Sequence, residues 1–463
     1  MSLITKVYRE KGLSLAGTGE KWPKLVVTPP GPRAREVLRR DESVVSPSYN
    51  RRYALVIDSG SGCILRDVDG NEYIDLDVAS GCLGVGASNP EVLTALSEQS
   101  RRLPAYPSSD LYSEVSVGLA VELAGLFTFR QGKVFLATSG VEGFEAALKL
   151  ARWYTRNPWF IAFTGSSHGE TYGALSLSSA KPVQRRHFTP LMPCVAFAPY
   201  PYCFRCPFKL NHPECDYQCL TFIEEQMLGK YVASENVAAA VFEPIQREGC
   251  VIPPPGYFQR LRKLADRHGF TLIDDERWTG LGRTGKWSAL EHWETHAEIL
   301  CLGEALTAGI PLGAVVAEGE VMDWEPGSHT STSGANLMAC VSALKVIEIV
   351  KRDRLLMQST QTGRHIVKRL DELRGKYPIL GDVRGKGLMI GVEILDDPKM
   401  KSPGELEAKE ILKRCWRRGV VLGLAGSSTI RITPPLNIST EFLDSALNVV
   451  EGVVGEVYRE KTG

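Results

Sequence analysis

At 463 residues and 43% hydrophobic content, the chain can bury more than one core and exceeds the usual length of a single domain. Its 54 basic and 54 acidic residues cancel, and no long run of Lys and Arg marks a surface for nucleic acid or anionic membrane. No stretch of 18 or more uninterrupted apolar residues is present and the N-terminus, MSLITKVYREKG, lacks the apolar centre of a secretory signal, so the expectation is a cytoplasmic protein with no membrane partner and no nucleic-acid partner.

In chain order, DVDGNEYIDL (67–76) reads as a hairpin with Asp69 and Gly70 at its turn, part of a smaller N-terminal subdomain. The runs VFLATS (134–139), WFIAFTG (159–165), AAAVFEP (238–244), FTLIDDE (270–276) and GAVVAEG (313–319) read as strands covered on both faces of one mostly parallel sheet. Between them, VEGFEAALKLARWYTR (141–156) and GYFQRLRKLADRHG (256–269) carry apolar residues at helical spacing. This alternation predicts an α/β layer architecture. From about residue 330 the pattern changes to a long helix, two strand candidates (GLMIGVEIL and STIRITPPL) and further helices, which predicts a C-terminal α+β lobe. The expected division is 1–70 contributing to a small domain, 71–329 as the large domain with a Cys-rich insertion at 201–220, and 330–463 as the rest of the small domain.

The stretch 272–319 carries the most information. Asp275-Glu276 ends a strand, Thr279-Gly280-Leu281-Gly282-Arg283-Thr284-Gly285 follows, and Leu302-Gly303-Glu304 precedes Gly309-Ile310-Pro311-Leu312-Gly313-Ala314. In this order the motifs resemble the class III, pyridoxal-phosphate-dependent aminotransferases, whose pattern has Lys at position 304. GPRARE (31–36), TSGVEGFEAALKLAR, SHGETYGALS, FEPIQREG, TSTSGAN, RGKGLMIGVE and IRITPPL extend the likeness over roughly residues 25 to 450. The branch with 4-aminobutyrate aminotransferases and amino-acid racemases is the most similar. The resemblance implies fold type I, a large mostly parallel sheet domain beside a smaller α+β domain built from both chain ends.

It also implies roles for single residues. Asp275 would hold the pyridine nitrogen protonated, although an ordinary strand-end Asp also fits. Ser139, Gly140 and Val141 open a helix where backbone N–H groups favour a phosphate, and Ser139 equally suits a plain N-cap. Thr332 corresponds to a threonine that reaches the phosphate from a partner subunit, His168 to the family's His-Gly pair, and Glu243 to a glutamate near the substrate. Arg431 corresponds to an arginine that grips the substrate carboxylate, a task suited to its planar fork.

Four departures cluster at the ring. Glutamate at position 304 cannot form the Schiff base that lysine forms, and Lys286 in the preceding loop is no evident substitute. Ser167 stands where an aromatic residue would stack on the ring, and Arg277 and Trp278 stand where a β-branched residue and a Gln would follow Asp-Glu. Arg277 is expected to pair with Glu304 or Asp275, and Trp278 to fill part of the ring's volume.

Cys203-x2-Cys206-x8-Cys215-x3-Cys219 fits tetrahedral zinc ligation, with His212 as an alternative ligand, and fits four reduced, unliganded thiols as well. The leading expectation is a homodimer, or a partner of an active paralogue, that has lost transamination and serves as a binding, structural or regulatory homologue. The alternative is an enzyme that holds pyridoxal or pyridoxamine phosphate noncovalently for aminotransferase, racemase or dehydratase-like chemistry on a small amino acid, with Glu304 as acid or base.

Overall fold

The apolar runs of the sequence become the strands of one seven-stranded sheet. The computed structural model describes residues 22–78 and 81–463, and of Glu304 the backbone alone. The MSLITKVYREKG stretch lies outside the described residues. The sheet contains β4 (Lys133–Ala137), β5 (Trp159–Phe163), β6 (Val195–Ala198), β7 (Val237–Phe242), β8 (Thr271–Asp275), β9 (Ile299–Leu302) and β10 (Gly313–Ala317), in the order β4-β10-β9-β8-β7-β5-β6. Only β10 runs against the others.

Every residue of β7 and β8 is buried, as expected of strands covered on both faces. The period of two decides which helix each side chain meets. Ala239, Val241 and Ile273 pack in the cluster beneath the helix Gly140–Thr155, whereas Ala240, Phe242 and Leu272 pack with the helix Tyr257–His268 on the other face. Alanines at 238, 239 and 240 keep the helices close to the sheet.

Two smaller sheets join the chain ends. In the first, β1 (Ile57–Ser61), β2 (Ile64–Asp67) and β3 (Glu72–Asp75) form a meander, and β13 (Val420–Val421) pairs parallel to β3 with Val420 opposite Ile74. The β2–β3 turn holds Asp69 and Gly70, and Gly70 has φ +93°, a conformation that glycine adopts without steric cost. In the second, β11 (Leu380–Lys386), β12 (Met389–Ile394), β15 (Thr429–Ile432) and β14 (Gly423–Ala425) pair antiparallel in that order. One apolar cluster, containing Ile64, Ile74, Leu388, Ile390, Ile430 and Ile432, spans both sheets. No helix among the described residues is long and apolar enough to cross a membrane.

Arg283 of the Thr-Gly-Leu-Gly-Arg-Thr-Gly loop is fully buried, and it donates to the carbonyls of Pro434 (2.5 Å), Gly81 (2.9 Å) and Leu388 (3.3 Å). It fastens the loop after β8 to the C-terminal sheet without facing the crevice chemistry.

Candidate active site

In an open α/β sheet the crevice lies outside the carboxyl ends of the strands. Here Asp275 ends β8, Glu243 follows β7, and Ser167 and His168 lie in the loop after β5. Ser139 N-caps the helix after β4, and the Glu304–Leu306 turn follows β9. Arg431 comes from β15, opposite this edge, and Asp77 follows β3.

Asp275 is sealed from water, and all its acceptor capacity is used. Arg277 donates from Nε to Oδ1 at 2.7 Å and from Nη2 to Oδ2 at 2.6 Å, and its backbone N–H lies 3.4 Å from Oδ1. His168 Nδ1 meets Oδ2 at 2.7 Å. Burial by itself would raise the Asp275 pKa, but the Arg277 guanidinium outweighs it and holds the carboxyl well below the usual carboxylate range. Burial lowers the His168 pKa. A neutral imidazole beside a carboxylate must donate from Nδ1, which leaves the buried Nε2 without a partner.

The same guanidinium also donates from Nη2 to the His168 carbonyl at 2.6 Å. Phe144, fully buried on the helix Gly140–Thr155, stacks on His168 at 4.7 Å and 8°, and Arg277 lies 5.1 Å from its ring. Gly303 provides space for the Arg277 stem, because a Cβ there would lie 3.0 Å from Cβ and Cγ of Arg277. The expected ion pair of Arg277 is therefore made with Asp275. The alternative pairing with Glu304 concerns a side chain outside the described residues.

Arg431 is buried and bound to a carboxylate of its own chain. Its Nε and Nη2 donate to Asp77 at 2.9 and 3.1 Å, and Thr433 Oγ1 donates to the same carboxylate at 2.9 Å. Trp278 is half-buried, with the Arg247 guanidinium 4.0 Å and that of Arg431 5.3 Å from its ring centroid. Glu243 accepts from the backbone N–H groups of Ser167 and Arg247, both at 3.0 Å. Burial, and then the nearby Asp275 charge, push its carboxyl up to about 8.

At the helix start, Ser139 Oγ accepts from the Glu142 N–H at 3.2 Å, and the Glu142 carboxylate accepts the Thr138 N–H at 2.7 Å. Val141 packs close to Gly169, where a Cβ would meet its Cγ1 at 2.7 Å. Gly140 is buried in this first turn. Thr332 is exposed, and its carbonyl accepts from the Ser108 N–H at 3.3 Å. The structure thus brings Asp275, His168, Glu243, Trp278 and Arg431 to one crevice and leaves Thr332 at the surface. Sequence reading missed Phe144 and Asp77. For Asp77 itself, the available signal was its place just beyond the buried strand β3.

The expectation of a zinc-holding quartet is corrected. Cys203, Cys206, Cys215 and Cys219 line a small cavity with His212, yet no three His, Cys, Asp or Glu side chains among the described residues converge in a geometry that could hold a metal ion.

A mostly parallel sheet with its site at the strand ends, flanked by a lobe from both chain termini, defines the fold type I architecture of pyridoxal-phosphate-dependent transferases. The signature of the class-III aminotransferases (Aminotransferase class-III) matches residues 45–454, and the chain belongs to that family. It is 35% identical to an alanine/serine racemase of Pyrococcus horikoshii, covering 95% of this chain and 94% of the relative. It is 32% identical to a diaminobutyrate–2-oxoglutarate aminotransferase of Rhizobium meliloti, over 89% of each. A Bacillus anthracis aminotransferase superposes with a TM-score of 0.85 at 26% identity, covering 92% of this chain and 99% of that one.

Pyridoxal phosphate is the cofactor expected in this family. In the arrangement seen here the residues do not fit its ring. A pyridine N–H needs an acceptor, and the Asp275 oxygens are already filled by Arg277 and His168.

Proposed function

We propose that this chain is a non-catalytic binding homologue within its family, a cytoplasmic homodimer in which a self-paired crevice has replaced lysine-dependent transamination. The observation that carries the reading is the Arg277 fork on Asp275, which places a permanent cation where a pyridinium would be needed. Glu304 in the lysine position and Asp77 on the Arg431 fork support it. The dimer reading is supported by an apolar surface around residues 103–121, where Tyr112 is 100% and Val121 69% exposed. The test is titration of purified protein with pyridoxal and pyridoxamine phosphate, followed by absorbance, with a transamination and racemisation assay alongside. No uptake and no turnover are expected. Saturable uptake with turnover overturns the reading.

A second reading rests on the relatives, which are named as racemases and aminotransferases, and on the retained Asp275–His168 pair. In it, Arg277 would leave Asp275 so that this carboxylate could hold a noncovalently bound cofactor. The same titration decides between the two.

A further inference from the structure

Arg247 carries a feature that the Arg277–Asp275 pairing does not use. Its guanidinium is half-buried and lies 4.0 Å from the Trp278 centroid. Among the described residues its only hydrogen-bonded side chain is Ser167, whose Oγ lies 3.4 Å from Nη1, and its buried Nε has no acceptor. No carboxylate among the described residues lies within ion-pair distance of it. Glu248, the strongest opposing charge on it, is engaged by Lys181 at 3.5 Å and by the Gly426 N–H at 2.5 Å.

The neighbouring charges compensate this cation only in part, through Glu248 at longer range. Asp77 is shared between Arg431 and Arg52, whose Nη1 lies 3.6 Å away, so one carboxylate faces two guanidiniums. Arg277 and Asp275 neutralise each other. Glu243, with its carboxyl pushed up to about 8, supplies little charge at neutral pH. A half-buried guanidinium with no ion pair and one unsatisfied N–H is costly, and it sits beside Trp278, which is itself only half-buried, and near the exposed Arg52.

We propose that Arg247 is the receptor for a small organic carboxylate, held between its guanidinium fork and the Ser167 hydroxyl, with the ligand's apolar skeleton against Trp278. The assignment rests on the crevice being a binding site without cofactor, and it differs from a grip by Arg431, whose fork is already on Asp77. A planar guanidinium held 4.0 Å from an indole centroid can present two parallel N–H groups, which match a carboxylate. The half-exposed indole suits a flat apolar body better than a hydrated inorganic ion.

The test uses the full-length protein and three probes, benzoate, benzamide and inorganic phosphate, in calorimetric titrations of wild type and of Arg247→Gln, Arg247→Lys and Trp278→Phe. Benzoate is expected to bind wild type at least about tenfold more tightly than it binds Arg247→Gln. Arg247→Lys, which keeps the charge but not the fork, should fall between them, and Trp278→Phe should retain binding. Benzamide and phosphate should bind more weakly than benzoate. Melting curves establish that each variant is folded, and should Arg247→Gln unfold, Arg247→Lys carries the comparison. The proposal is overturned by equal binding of benzoate and benzamide, by preference for phosphate, by benzoate binding that ignores both Arg247 substitutions, or by no binding up to about 10 mM. Cofactor titration fails or succeeds independently of these arms, so the two readings are separable.

Discussion

Arg277 holds both oxygens of Asp275 from two residues further along the chain, Nε at 2.7 Å from Oδ1 and Nη2 at 2.6 Å from Oδ2, with both side chains out of solvent. A buried pair of this kind contributes little compared with an apolar replacement of both partners, but removing one partner strands the other charge. His168 alone is too weak a compensation, because burial keeps its imidazole neutral.

Arg277→Ala is therefore expected to destabilise the protein by about 3–5 kcal/mol, read from urea unfolding. A midpoint within error of wild type would mean that Asp275 is stabilised by other means, and the account of the site would have to change.

The placement of Asp275, His168 and Glu243 at strand ends was legible in the sequence, because apolar runs followed by acidic or Gly-rich motifs mark the ends of buried strands. The fold class was legible for the same reason. What Phe144 does was not. Its helical spacing shows that it is buried, but the ring it meets depends on the strand order β4-β10-β9-β8, a non-local property. Asp77 on Arg431 joins residues 354 apart in sequence, and no local pattern encodes that pair. Strands β11 and β14 escaped because their glycines and charges interrupt the period of two. The cysteine spacing allowed zinc, but spacing cannot say whether sulfurs converge.

Glu243 gives a pH signature. Its carboxyl sits at about 8 in the folded protein against an ordinary 4.5, so between those values the folded state holds a proton that the unfolded chain has released. Its contribution is fully present below pH 4.5 and is lost as pH rises through 8. Asp75, buried and pushed up to about 7, has the same sign, whereas Asp275, held low, contributes above the ordinary carboxylate range and is lost only in acid. Stability should fall between pH 5 and 8 by up to about 1.4 kcal/mol per unit per group, and Glu243→Gln should flatten part of that slope. Parallel pH profiles for wild type and variant would rule this out.

The apolar surface around residues 103–121 gives an assembly prediction. The helix Glu114–Leu126 turns Leu119 and Leu123 into the core while Val117 and Val121 face out. A charge on that outer stripe should be tolerated by the fold and refused by an apolar interface. Val117→Glu with Val121→Glu is expected to shift the protein from dimer to monomer in light scattering at micromolar concentration, with little change in melting of the monomer fold. Wild type that is already monomeric at that concentration would remove the dimer reading.

The last prediction concerns Glu304→Lys. Restoring lysine supplies the amine for a Schiff base but does not free an oxygen of Asp275, since both remain on the Arg277 fork. The introduced ammonium would also follow directly on Gly303, against which the Arg277 stem packs, and so bring a second cation to that cation. The single variant is expected to stay colourless with added pyridoxal phosphate. Pairing it with Arg277→Val removes the competing donor and leaves Asp275 a buried carboxylate in need of one, which a ring nitrogen supplies, so the double variant should take up more cofactor than either single variant. Arg277→Val alone should bear the stability loss described above, and added cofactor should recover part of it only in the double variant, because ligand binding stabilises the folded state by mass action. A yellow protein from Glu304→Lys alone would show that the Arg277 fork yields easily, and the proposal of a closed, self-paired crevice would fall with it.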